Sequence, residues 1–222
     1  MFQTGQKGRQ MFRWCARIAV VGGGVGAVVG GGVGVVGGLS GCSRLMHTSG
    51  VRLESFENGS VLVPRVVSSG YTATDRSTAD LYLSDIPLGD LNRAESFDDL
   101  VGTIVRIRMF VAPKPGKTPI EPTASTATIQ AAVLSRGEIG LYGGGAFMLL
   151  SGKPGDRTFG GSVRGGSVRL LSSTPGFADR LGASRFTAGI TIPHDEAAAA
   201  ILSHVFEQAA RAARGRANAS GR

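Results

Sequence analysis

The chain has 222 residues, of which 42% are hydrophobic and 18% charged, and a formal net charge of +8. That length specifies one domain, large enough to bury roughly 70% of its unfolded surface without disulfide staples. The positive charge is terminal: residues 42–210 hold sixteen basic side chains against all sixteen acidic ones, a balance that excludes an extended nucleic-acid-binding surface.

The first feature in chain order is a basic stretch, Lys7, Arg9, Arg13 and Arg17, free of acidic residues. Twenty-three uncharged residues follow, Ile18 to Ser40, ending in Leu39-Ser40-Gly41-Cys42. A positive n-region, an apolar h-region and a small-residue cleavage site make up an export signal. Leu-Ser-Gly-Cys at its end resembles the lipobox of bacterial lipoproteins. The resemblance covers residues 1–42. It implies that Cys42 is acylated with palmitate-type chains and becomes the mature N-terminus in the cell envelope. Ser43 after the cysteine implies outer-membrane delivery where the host has two membranes. Cys15 would leave with the signal, so the mature domain would hold neither a free thiol nor an internal disulfide. Met11 is an alternative start that gives a shorter signal and keeps Arg13 and Arg17.

Other readings of this segment compete with the signal. Gly22, Gly24 and Ala27 match strand-GxGxxA, but a dinucleotide site needs a helix next and an acid about 20 residues on. Here more glycines follow, and the next acid is Glu54. An uncleaved membrane helix is the second alternative, with Gly22, Gly26, Gly30, Gly34 and Gly38 forming a ridge for close helix packing. A flexible linker is disfavoured, because the spacers are Val, Leu and Ala rather than Ser.

The expected organisation is therefore a signal over 1–41, a polar tether over 42–49, one β-rich domain over 50–213 and a disordered basic tail over 214–222. Within the domain, Glu57-Asn58-Gly59-Ser60 between two apolar runs predicts a type I′ hairpin. Pro64 in the second run predicts an edge strand or bulge. Period-2 alternation predicts strands at Ala79–Ser84, Ile104–Val111 and Ala127–Leu134. Arg136-Gly137-Glu138 turns the chain into a strand at Ile139–Tyr142, and Gly143-Gly144-Gly145 then bends or bulges it before Ala146–Leu150. The repeat Gly160-Gly161-Ser162-Val163-Arg164, Gly165-Gly166-Ser167-Val168-Arg169 predicts a glycine-kinked strand pair or a strand with a bulge. Phe186, Ala188, Ile190 and Ile192 mark the last strand. Leu88–Val101 and Ala197–Ala213 are the helices, the latter capped by Asp195 and ended by Gly215. Its stripe is Ile201, Leu202, Val205, Phe206 and Ala209. The fold class expected is mainly β: an antiparallel β-sandwich or closed barrel of about eight strands with a C-terminal amphipathic α-helix.

Residues suited to catalysis are scarce. The histidines are His47, His194 and His204; His47 falls in the tether, and the other two share no helical face at ligand distance. Ser203 beside His204 lacks a Gly-x-Ser-x-Gly elbow and reads as a helix-surface pair. Pro115-Gly116-Lys117-Thr118 lacks the opening glycine of a phosphate loop, since position 111 is Val111. Asp85, Asp90, Glu95, Asp98 and Asp99 form an acidic stretch, yet their spacing fits no EF-hand. The sequence thus predicts no catalytic residue, cofactor or metal site, with Cys42 as the lipidation site and the membrane as the partner. The resulting expectation is a non-enzymatic envelope lipoprotein with a structural or binding β domain. A lipocalin-like carrier is the runner-up, resembling that family in strand count and C-terminal helix; the family's Gly-x-Trp has no counterpart, since Trp14 lies in the signal. An envelope hydrolase using carboxylates from separate loops is a third.

Overall fold

The computed structural model describes residues 50–110 and 125–219. Cys42, His47, the glycine-rich segment and Pro115–Thr118 lie outside the described residues.

A single antiparallel sheet dominates the domain. Its strands are β1 (Gly50–Ser55), β2 (Val61–Leu62), β3 (Ser68–Ala73), β4 (Ala79–Ser84) and β5 (Val101–Met109). They continue with β6 (Ala127–Ser135), β7 (Glu138–Ala146), β8 (Met148–Ser151), β9 (Thr158–Ser173) and β10 (Ser184–Pro193). The order is β2-β1-β10-β9-β7-β6-β5-β4-β3, with β8 also paired to β9. Helix α1 (Leu88–Arg93) follows β4, and α2 (Glu196–Ala219) closes the described chain. The sheet curls into a half-barrel, so the expected mainly β class with a C-terminal helix holds. No ladder among the described residues joins β3 back to β1, β2 or β10. Side chains bridge that gap instead. The Tyr71 ring on β3 lies 5.5 Å from Phe159 of β9, centroid to centroid, and its hydroxyl donates to the Asp156 carbonyl.

The curl has two apolar faces. Inside it pack Leu53, Tyr71, Ile107, Ile129, Phe159 and Phe186, all fully buried. Outside, Tyr82, Ile104, Leu134 and Leu141 meet Leu202 and Phe206 of α2. Strands β4 to β7 are thus covered on both sides, which is why β4 buries Leu81, Tyr82, Leu83 and Ser84 in succession rather than alternating.

Several expectations need correction. Asn58 keeps a negative φ, so Asn58-Gly59 is not a type I′ turn. Five residues separate Ser55 from Val61, and the Asn58 side chain accepts the Ser60 N–H at 2.9 Å, making a longer loop. The two-residue turn with positive φ at both positions is Arg136-Gly137, at 49° and 83°, the geometry that matches strand twist. β7 runs straight through Gly143–Gly145 and breaks only at Phe147. Across the break the pairing with β9 slips by one residue, Gly145 lying opposite Ser167 and Met148 opposite Val163. The glycine repeat forms one 16-residue strand whose pairing with β10 shifts register between Phe186 and Ala188, the strand-with-bulge form. Helix α1 stops after six residues because Ala94 turns extended at ψ 119°. Gly215 does not end α2, which continues to Ala219 and takes in the first residues of the expected tail; a helical glycine costs only about 1 kcal/mol.

Candidate functional site

Helix α2 docks because the sheet leaves room for it. A Cβ at Gly70 of β3 would lie 2.7 Å from the Asp195 carbonyl and 2.8 Å from the Ala199 nitrogen. Asp195 caps the helix as expected, its Oδ1 accepting the Ala198 N–H at 2.9 Å and satisfying an otherwise orphan donor. Leu202, Val205, Phe206 and Ala209 are buried, and Ile201 half-buried.

A polar cluster sets the helix register. Arg106 of β5 donates from Nε to Asp80 Oδ1 and from Nη1 to Glu207 Oε1, both at 2.9 Å. It lies 5.8 Å over the Tyr82 ring, whose hydroxyl bonds Ser203 Oγ at 3.1 Å. Burial works against the Arg106 charge, but the Asp80 bond and the surrounding negative groups hold it protonated. This is a docking device with no free nucleophile: Ser203, far from acting with His204, receives Tyr82. His204 bonds the Gln208 amide at 2.9 Å. His194 lies 4.9 Å from the Tyr71 ring and 3.6 Å from Glu196.

The acidic stretch does not converge. Asp85 accepts the Thr103 N–H at 2.5 Å, and burial raises its pKa despite that bond. Asp90 pairs with Arg93 at 3.0 Å, and Asp98 accepts from Ser96. No group of three or more His, Cys, Asp or Glu side chains among the described residues is placed to hold a metal ion.

What this region does form is a groove. Two cavities of about 330 and 430 Å³ flank the chain after α1 and share Leu91, Ala94, Val205 and Gln208. Glu95, Asp98 and Thr174 add polar groups to the first, His204 to the second. Polar and apolar groups share the lining of both cavities nearly equally.

The loop from 174 to 183 covers the neighbouring end of the curl. Tyr142 donates to Asp179 Oδ1 at 2.5 Å, and the same oxygen accepts the N–H groups of Leu181 and Gly182. Burial opposes the Asp179 charge, yet these three donors together hold its pKa below the ordinary carboxylate value, while burial and Asp179 push Tyr142 far above its own. A depressed carboxyl stabilises the fold above its unfolded pKa of about 3.9, and the contribution is lost as pH falls through the folded value. Asp179→Ala is therefore expected to cost about 1 kcal/mol near neutral pH. The gap between the urea midpoints of the two proteins should narrow as pH falls below the unfolded value and through the depressed folded pKa of Asp179.

Sequence reading missed Arg106, Glu207, Tyr142 and Asp179. The only available signal was an arginine in an apolar strand; its two carboxylates are 26 and 101 residues away, which no local spacing reveals. No protein-family model, curated protein or solved structure matches this chain.

Proposed function

We propose that the chain is an acyl-anchored cell-envelope lipoprotein whose β domain binds a partner or serves a structural role and is not an enzyme. The observation that carries this reading is the run from Ile18 into Leu39-Ser40-Gly41-Cys42 behind a basic n-region. It requires Cys42 as the lipidated N-terminus, the membrane as partner and an envelope location, in the outer membrane of a two-membrane host. Binding is favoured over catalysis by where the reactive side chains go: Ser203, His194 and His204 each face a structural neighbour. Binding on the outer groove is favoured over a lipocalin-like interior because Tyr71, Tyr142, Phe159 and Phe186 fill the curl. Within this reading the curl is a barrel closed by side chains across the β3 gap, not by a strand ladder.

Labelling with a palmitate analogue in a bacterial host tests the proposal. The wild type is expected to take up the label and run at mature length, whereas Cys42→Ala remains an unlabelled precursor. A wild-type band of precursor length in the membrane fraction would instead identify the glycine-ridged segment as a retained span.

A further inference from the structure

We infer that the outer wall of β9 and β10 binds a linear acidic polysaccharide, with Arg164, Arg169 and Arg185 as its anion contacts. The inference concerns the β domain alone and stands whether Cys42 is lipidated or the glycine-rich run is kept as a span.

The glycine repeat builds this wall. Its two valines, Val163 and Val168, are both buried inside the curl, although five steps along a regular strand would place them on opposite faces. The backbone absorbs the odd step. While β10 moves two residues, from Phe186 to Ala188, β9 moves three, from Gly166 to Val163. Gly165, at φ 70°, supplies the left-handed residue of such a bulge. Each arginine follows its valine, so Arg164 and Arg169 both turn outward, and both are exposed. On the neighbouring strand Arg185 pairs with Ser167 and is exposed as well. Three arginines thus surround Ser167 on one wall.

Their charge is not consumed within the protein. None of the ion pairs among the described residues involves Arg164, Arg169 or Arg185. The Arg185 guanidinium lies 5.7 Å over the Phe56 ring, a contact that positions a cation without neutralising it. The outward carboxylate of β1, Glu54, is held by Arg52 at 3.2 Å. Residues 42–210 are neutral in sum, yet this wall is positive.

Spacing and lining select the partner. With one residue taken up by the bulge, Arg164 and Arg169 stand roughly 13 Å apart along β9. That exceeds the span of one small anion and fits a chain whose charge repeats. Beside the arginines stand Ser162, Ser167 and Thr187, with Gly145 opposite Ser167. Hydroxyls and bare backbone suit the hydroxyl groups of sugars. They form no aromatic platform for stacked bases, the Phe56 ring being covered by Arg185.

Binding of the full-length protein in neutral detergent to immobilised polygalacturonate, measured by surface plasmon resonance, tests this. The wild type is expected to bind, with affinity falling as salt rises. An exposed guanidinium–carboxylate contact is worth up to about fivefold, so Arg164→Gln and Arg169→Gln are each expected to lose about threefold and the double variant about tenfold. Arg76→Gln combined with Arg93→Gln removes the same charge from the turn after β3 and from α1, and should keep wild-type affinity. Circular dichroism confirms folding, and the single variants carry the test should the double variant not fold. No binding by the wild type overturns the inference, as does an equal loss in the remote pair, which would show net charge at work. Tighter binding to polyglutamate or to single-stranded DNA of matched charge also overturns it, assigning the wall to a peptide or a nucleic acid. Unprocessed precursor that binds the polymer equally removes the lipid anchor and leaves this inference standing.

Discussion

Phe206→Ala is expected to destabilise the domain by about 3–5 kcal/mol, the usual cost of emptying a buried aromatic site. The side chain is 1% exposed and sits among Tyr82, Ile104, Leu202 and Ala209 on the outer face of the sheet. Helix and sheet close around it from opposite sides, and the backbone of β4–β6 is pinned by ladders on both flanks, so the site has little freedom to collapse. The loss is a large share of a typical stability of about 5–15 kcal/mol. Urea denaturation followed by circular dichroism measures it. Phe206→Leu, which keeps most of the volume, should lose much less. An unchanged midpoint for the alanine variant would show that the stripe is not docked on the sheet.

Gly144→Ala is expected to be at least as damaging, although it adds a single methyl group. Gly144 pairs with Val168 on β9, and a Cβ there would stand 1.8 Å from the Ser167 carbonyl oxygen. The obstacle is backbone on a central strand, which cannot rotate aside as a side chain would, so the ladder between β7 and β9 must part. Overpacking ordinarily costs about 1–3 kcal/mol, and a backbone clash belongs at or beyond the upper end. Gly155→Ala is the informative control: nothing lies within 4 Å of its Cβ position, and only its φ of 94° opposes the change. A loss in Gly144→Ala no larger than that in Gly155→Ala would show that the close strand approach at Gly144 costs little.

The strands whose side chains alternate cleanly were legible in the sequence. In β10 the expected residues Phe186, Ala188, Ile190 and Ile192 are all buried, and β6 follows its alternation at Ala127, Ile129 and Ala131. The residue pattern of β3 gave no such signal. Ser68-Ser69-Gly70-Tyr71-Thr72-Ala73 holds one large apolar residue, and its glycine is dictated by a helix more than 120 residues later in the chain. Turn chemistry misled for a related reason. Asn-Gly suits a tight hairpin, but pairing of Glu54 with Val61 leaves too many residues between the strands, and register overrides local preference. The groove beside α2 was illegible throughout, because it exists only where the short α1, the loop after it and the distant helix converge. Three of the five acidic residues seen there in sequence, Asp85, Asp90 and Asp98, became partners of Thr103, Arg93 and Ser96.

The two margins of the curled sheet carry a consequence for crowding. An unpaired strand is a template onto which another chain can add, and molecules concentrated side by side would meet edge to edge far more often than molecules in dilution. Here one margin is a strand of two residues, with Pro64, which has no N–H to offer, two positions beyond it. The other is overlaid at Gly70 by the first turn of α2. Neither margin presents a long run of free donors and acceptors, so the domain tolerates dense lateral packing without polymerising through its backbone.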